Sequence, residues 1–141
     1  MYYGADLAYS KYYTKFKDSF CYEDYLDKCL NDKHRKSFTR LRISSHSLEI
    51  ETGRYNGVER SNRLCKLCDQ NLVESEYHFL LCCTKFSAIR IKYLGRHSWP
   101  SLNKFNALMS TSNKLLLNKI SKFITEAFEI RSSAINNLKN V

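Results

Sequence analysis

Five residues in the middle of the chain have the types and the spacing of a metal site. Cys65 and Cys68 are separated by two residues, and His78 follows Cys68 after nine more. Three residues separate Cys82 from His78, and four separate Cys83 from it. Zinc accepts thiolate and imidazole ligands in tetrahedral structural sites, where a Cys-x2-Cys turn presents one pair and a later helix presents the other. The pattern predicts one bound Zn²⁺.

The residues alone leave the fourth ligand open. On an ideal helix Cys82 lies on the same face as His78, whereas Cys83 is rotated by about 140°. This geometry favours Cys82, but Cys83 becomes available if the helix begins at or after His78 or loosens there. Either choice gives four protein ligands and no open position for a water molecule. We therefore expect a structural site, not a hydrolytic one with three ligands and a bound water.

The cysteines have three other interpretations. The chain has six of them, but its N-terminus lacks a basic region followed by an apolar one. We therefore expect an intracellular protein, nuclear or cytoplasmic, in which disulfides are disfavoured. A redox Cys-x-x-Cys is disfavoured because the βαβ pattern expected around it is missing. The last alternative is that these cysteines are merely small buried apolar residues.

The charge of the chain favours polyanionic partners, chiefly nucleic acid. Lys and Arg number 23 against 14 Asp and Glu, which gives a formal net charge of +9. A basic run from Lys28 to Arg42 contains Asp32 as its only acid. The candidate nucleic-acid-binding residues of this run are Lys33, Arg35, Lys36, Arg40 and Arg42. The alternative is an ordinary solvated helix face.

No set of residues predicts an enzyme. The chain contains no Gly-rich phosphate loop, no Gly-x-Ser-x-Gly and no His-Glu-x-x-His. Glu49 and Glu51 are predicted to face solvent instead of forming an acid/base pair. The remaining histidines are predicted to be surface or core residues: His34, His46 and His97. No stretch approaches the roughly eighteen apolar residues of a membrane span, so no membrane partner is expected.

The elements in the first half of the chain are predicted to be helical with one exception. The spacing of aromatic residues in 2–30 predicts one or two amphipathic helices. A helix of roughly ten residues is predicted to follow Asn31, which is a good capping residue. Leu48 and Ile50 alternate with charged residues, which predicts a short extended stretch or turn.

The second half predicts three further helices. One runs from about Ser75 to Gly95, and a short one is capped by Ser101. In the last, apolar residues recur at helical spacing for more than twenty residues after Leu116. The chain contains only one Pro and four Gly. Few residues therefore force a helix to end, and few favour the tight turns of a β fold.

We therefore predict a mainly α fold, in which several short helices surround a single Cys-Cys-His-Cys zinc site and a long C-terminal helix follows. Residues 1–30 would form a helical N-terminal extension, and residues 31–95 the zinc-binding region. Residues 96–141 would form a C-terminal helical hairpin that packs on it.

From about Phe38 to Tyr93 the chain resembles the C-terminal zinc-binding region that follows the polymerase in reverse transcriptases of LINE-like, non-LTR retrotransposons. The resemblance rests on Leu41-Arg-Ile-Ser-Ser-His-Ser-Leu-Glu-Ile-Glu-Thr-Gly-Arg-Tyr55, Cys65-Lys-Leu-Cys68, Val73-Glu-Ser-Glu-Tyr-His-Phe-Leu-Leu-Cys-Cys83, Phe86 and Arg90. In that family four residues usually separate the histidine from the last cysteine, so the resemblance implies Cys83 as the fourth ligand. It also implies an accessory module that binds RNA or DNA and helps it to engage the polymerase.

The chain departs from a full element. The polymerase's Tyr/Phe-x-Asp-Asp motif and any endonuclease signature are absent from these residues. We therefore expect a fragment, even a degenerate remnant, that binds zinc and nucleic acid without catalysis of its own. The rival hypothesis is a structural or protein-interaction domain stabilised by zinc. In that case the apolar face of residues 115–138 docks on a polymerase domain or on another protein chain.

Overall fold

The computed structural model of the protein describes residues 25–28, 31–96 and 100–141. Within them lie six α-helices: α1 (Tyr25–Lys28), α2 (Asp32–Arg42), α3 (Glu49–Tyr55), α4 (Ser87–Leu94), α5 (Leu102–Met109) and α6 (Lys114–Lys139). Between α3 and α4 the chain forms two 3₁₀ turns, Arg60–Asn62 and Thr84–Phe86, and a π-helical turn, His78–Cys82. The predicted mainly α fold with a long C-terminal helix is confirmed. Apart from α1, the predicted N-terminal extension lies outside the described residues, as does His97.

Three helices begin at polar caps. The side chain of Asn31 accepts a hydrogen bond from the His34 N–H at 3.2 Å, and α2 follows it as predicted. Ser101 caps α5 in the same way, as its position in the sequence predicts. Asn113 caps α6 by accepting from the Leu116 N–H at 3.0 Å. These side chains satisfy backbone donors that have no partner inside the helix.

The prediction of a short extended stretch or turn over Leu48, Ile50 and Thr52 is wrong, because helix α3 begins at Glu49 and contains Ile50 and Thr52. Alternating apolar and acidic residues predicted a strand with an exposed acidic face, but Glu51 is only 1% exposed. Its carboxylate pairs with Arg54 one turn later, at 2.7 Å. The carboxylate of Glu74 also accepts the Glu49 N–H at 2.7 Å, so a residue distant in sequence caps the helix.

One hydrophobic core joins the middle of the chain to its C-terminal helices. Its members come from α2, α3 and α4, from the segment that carries the candidate metal ligands, and from α5 and α6. Phe79 is fully buried in this core, with its ring centroid 5.1 Å from that of Phe86 and 6.2 Å from that of Phe123. Edge-to-face aromatic pairs of this kind add to the stabilisation from apolar burial. The metal-ligand segment and helix α6 are therefore packed together.

The apolar face of helix α6 is buried inside the molecule. It packs against α2 and α4, and the buried residues of this face are Leu117, Ile120, Phe123, Ile124 and Ala127. Leu115 and Leu138, near its two ends, are largely exposed. Among the described helices, α6 included, none combines the length and the apolar character that a bilayer span requires.

Candidate metal centre

Four side chains converge on one point. The ligand atoms of Cys65, Cys68, His78 and Cys83 all lie within 4.8 Å of one another. The sulfur atoms of Cys65 and Cys83 are 3.8 Å apart, and Nε2 of His78 is 3.4 Å from the sulfur atom of Cys68. Cys65, His78 and Cys83 are buried, and Cys68 is partly exposed. Three thiols and an imidazole so close together could hold a metal ion.

A short antiparallel pairing presents the first two ligands. Leu64 and Val73 form an isolated bridge, and the Cys65 N–H donates to the Leu72 carbonyl at 2.9 Å. The chain reverses between them, with Asn71 at a φ of 57°, a left-handed conformation that asparagine tolerates better than most residues. This reversal places Cys65 and Cys68 on the same side as the helical turn that follows.

A π-helical turn presents the other two ligands. The hydroxyl oxygen of Ser75 accepts the His78 N–H at 3.2 Å at the start of this turn. The predicted helix from about Ser75 to Gly95 is not continuous, because non-helical backbone at Cys83 separates this turn from α4. The Cys83 N–H then donates to the His78 carbonyl at 2.8 Å, an i to i+5 bond in place of the usual i to i+4 bond. The wider turn holds one extra residue. Cys83 therefore occupies the side of the turn on which a regular helix would have placed Cys82.

Cys82 lies apart from the four clustered side chains. It is half-buried beside Tyr77 and Arg90, and burial raises the pKa of its thiol. The preference for Cys82 that ideal helical geometry gave is thus overturned, because the turn is not a regular helix. The cluster contains the cysteine that the family resemblance implied.

Hydrogen bonding within the cluster shifts the pKa values of the Cys65 and Cys83 thiols in opposite directions. The hydrogen bond with Cys83, followed by burial, raises the pKa of Cys65 to about 12. The same hydrogen bond lowers the pKa of the Cys83 thiol. Since metals bind thiolates, a metal ion that occupies the site must displace the Cys65 proton.

Arg90 of helix α4 supports the π-helical turn. Its guanidinium group donates to the carbonyl oxygens of Leu80, Cys83 and Phe79, at 2.9, 3.0 and 3.3 Å. Carbonyls that a regular helix would satisfy internally are thus satisfied by a side chain. Burial lowers the pKa of Arg90, and its charge lies against the turn that carries His78 and Cys83.

Replacing Arg90 with methionine is expected to weaken metal binding by about 10- to 100-fold. The substitution removes the Arg90 hydrogen bonds to the three carbonyl oxygens, so the turn can relax towards a regular helix and rotate Cys83 away from His78. Titration with Co²⁺, whose visible spectrum reports tetrahedral thiolate ligation, measures the affinity. Lys92→Met is the matched control on the exposed side of the same helix. Equal affinity of the two variants would contradict this role for Arg90.

Two buried carboxylates connect the ligand segment to the rest of the fold. Glu74 lies between the two ligand pairs and accepts two hydrogen bonds from Arg131 of α6, at 2.9 and 2.7 Å. Glu76 accepts from the Nε2 of His46 at 2.7 Å and from the Ser44 hydroxyl at 2.8 Å. Although burial opposes it, these two bonds hold the pKa of Glu76 below its usual value. Glu74 thus connects the ligand segment to α6, and Glu76 connects it to the loop after α2.

Sequence reasoning missed these supporting residues. Arg131 and Glu74 are 57 positions apart, and nothing in the local pattern of either relates them. Glu74, Glu76, His46 and Arg90 all fall within the stretches that carry the family resemblance. Their position in those stretches was the available signal, but the resemblance assigned them no role.

The five residues predicted to bind nucleic acid have different environments. Arg42 is only 5% exposed and donates to the Met109 carbonyl at 3.1 Å, so it connects α2 to the end of α5. Lys33 pairs with Glu129 at 2.6 Å. Arg35 and Lys36 both pair with Asp32, at 2.9 and 3.0 Å. Arg40 is exposed and pairs with no carboxylate in the part of the chain that the structure describes.

Comparison of the chain with protein-family models, with curated proteins and with solved structures gives no match. The resemblance to retrotransposon reverse transcriptases therefore stays a prediction.

Proposed function

We propose that this chain binds one structural Zn²⁺ and acts as a nucleic-acid-binding accessory module. The observation that supports zinc is the spacing of the ligand atoms. In a tetrahedral site with usual zinc–ligand distances, two sulfur atoms lie about 3.8 Å apart, and a sulfur and a nitrogen about 3.6 Å apart. The corresponding separations here are 3.8 and 3.4 Å. The preference of zinc for thiolate and imidazole fits the same four residues.

The role proposed for the ion is structural. Four protein ligands fill a tetrahedral shell, and no position remains for a water nucleophile. The ligands come from two segments, the Cys65–Cys68 turn and the π-helical turn with Cys83 at its end. The ion would hold the Cys65–Cys68 turn against the π-helical turn and would complete the fold. We propose no catalytic activity for this chain.

Nucleic acid is the partner that the charge of the protein favours. The net charge is +9, and Lys33, Lys36 and Arg40 are exposed along α2. Surface ion pairs such as those of Lys33 and Lys36 contribute little free energy and can be exchanged for phosphate. Arg42 is left out of the proposed interface because of its burial. The resemblance to the retrotransposon module favours the same partner, within a fragment of such an element.

The rival hypothesis, docking through the apolar face of α6, has less support. The central residues of that face are buried against the chain's own α2 and α4. Only its ends, Leu115 and Leu138, expose large apolar side chains. An extended apolar patch, which marks protein interfaces, is therefore not available along this helix.

The nucleic-acid proposal predicts binding that depends on salt. Fluorescence anisotropy of labelled 20-nucleotide single strands should give an affinity that falls linearly with the logarithm of salt concentration. If three phosphates are contacted, the slope is about −2 on a log–log plot. The triple variant Lys33→Gln, Lys36→Gln, Arg40→Gln should reduce both the affinity and this slope without loss of zinc.

The control is a triple variant with the same loss of charge on exposed residues of α6. It carries Lys114→Gln, Lys119→Gln and Lys139→Gln. This control should keep most of the affinity of the unmodified protein. Absent binding, or binding that does not change with salt, would contradict the proposal.

A further inference from the structure

An open groove lies where the end of α2, the loop after it and helix α6 meet. Its volume is about 570 Å³, within the range of small-ligand sites. The residues that line it are Ser37, Arg40, Ser44, Ser45, His46, Ser47, Tyr55, Phe128 and Ser132. Five of these nine are serines, one is an arginine, and none is a carboxylate. Hydroxyl donors around a single guanidinium group form a lining suited to phosphate oxygens.

Hydrogen bonds with Glu76 hold the loop after α2, which lines the groove. The Leu48 N–H donates to Nδ1 of His46 at 3.3 Å, so this ring carries its proton on Nε2 and donates it to Glu76. Ser44 donates to the same carboxylate and has a φ of 59°. One oxygen of the Glu76 carboxylate is therefore occupied by two donors. The other two serines of the loop, Ser45 and Ser47, also line the groove.

An aromatic ring stands at the rim of the groove. Tyr55 is 77% exposed, and the guanidinium carbon of Arg54 lies 4.6 Å from its ring centroid. Arg54 is itself held by Glu51 at 2.7 Å. One face of an exposed tyrosine is thus supported by a fixed cation, and a planar group can stack on such a ring.

We propose that this groove binds one nucleotide unit of an unpaired strand, with its phosphate at Arg40 and the serine hydroxyls and its base against Tyr55. The inference rests on the proposed nucleic-acid-binding function and gives it a location. Arg40 suits this role because it is exposed and, among the residues that the structure describes, no carboxylate pairs with it. A base in a duplex is already stacked, so the groove selects single strands. RNA and DNA share this phosphate-and-base chemistry.

Two adjacent serines allow a closely matched test. Ser132 lines the groove, whereas Ser133 lines a separate cavity with Lys85 and Ala134. Both are exposed residues of α6. Ser132→Glu places a negative charge beside the bound phosphate and should lower affinity at least about tenfold. Ser133→Glu makes the same chemical change outside the groove and should lower it less than about threefold.

A second pair of variants tests the stacking. Tyr55→Ala should lower single-strand affinity about tenfold, while Tyr55→Phe, which keeps the ring, should bind like the unmodified protein. Each variant is titrated against labelled single-stranded RNA, single-stranded DNA and duplex DNA, after its zinc content is confirmed to be unchanged. The predicted pattern in either single-strand series supports the groove and identifies the strand that it binds.

Three results would overturn the groove, and two of them separate it from the broader proposal. Binding that Ser132→Glu and Ser133→Glu weaken equally would place the interface elsewhere and leave nucleic-acid binding intact. Duplex binding as tight as single-strand binding, with no effect of Tyr55→Ala, would do the same. No binding by the unmodified protein would refute the proposed function and the groove together.

Discussion

Replacing Cys83 with serine is expected to abolish stoichiometric metal binding, whereas replacing its neighbour Cys82 is expected to preserve it. The sulfur of Cys83 belongs to the four-residue cluster, and the sulfur of Cys82 does not. Structural zinc contributes an apparent free energy of about 10–16 kcal/mol. A whole domain has a net stability of only about 5–15 kcal/mol. Loss of the ion should therefore unfold at least residues 60–95.

The measurement combines metal analysis with circular dichroism. Reduced protein is purified without added metal, and its zinc content and helical signal are recorded before and after a chelator is added. Cys82→Ser should contain one zinc per chain and lose helicity only on chelation. Cys83→Ser should lack zinc and show reduced helicity from the start. The reverse assignment, with zinc lost in Cys82→Ser alone, would refute the role of the π-helical turn.

Replacing Arg131 with methionine is expected to destabilise the zinc-loaded protein by about 3–5 kcal/mol. The guanidinium group of Arg131 makes two hydrogen bonds to Glu74, and both side chains are nearly inaccessible to solvent. Methionine fills similar volume but leaves a buried carboxylate without its counter-charge. Glu74 also caps α3 and lies between the ligand pairs. The change should therefore loosen both α3 and the ligand segment.

Chemical denaturation at fixed excess zinc measures this effect, because the ion stabilises the folded state by mass action. Lys33→Met is the matched control. It breaks an ion pair of 2.6 Å that also involves α6, but both partners of that pair are exposed. Its cost should be at most about 1 kcal/mol. Equal costs for Arg131→Met and Lys33→Met would show that the Glu74–Arg131 pair is not an important connection.

Local sequence patterns sufficed for the parts of the fold that depend on local forces. Asn31 and Ser101 cap helices because a short polar side chain reaches the backbone N–H three residues later. The length of α6 followed from apolar periodicity. The ligand candidates Cys65, Cys68 and His78 followed from spacing, since zinc requires ligands that one turn can aim at a point.

The parts that depend on distant contacts did not follow from local patterns. The π-helical turn that brings Cys83 to the cluster is supported by Arg90, whose hydrogen bonds to its carbonyls no helical periodicity encodes. Helix α3 was predicted as an extended stretch because the capping carboxylate, Glu74, lies 25 residues from Glu49. Arg42 was predicted to belong to a basic surface, but its buried guanidinium group donates a hydrogen bond to a carbonyl oxygen of α5. Burial of charge in each case required a partner from another segment.

X-ray absorption at the zinc edge reports the number, the element type and the distances of the atoms that bind the ion. We expect one zinc per chain, coordinated by three sulfur atoms at about 2.3 Å and one nitrogen atom at about 2.0 Å. That shell corresponds to Cys65, Cys68, His78 and Cys83. A protein that contains no zinc, or a shell with fewer than three sulfur atoms and an oxygen ligand, would contradict the structural site on which the proposed function rests.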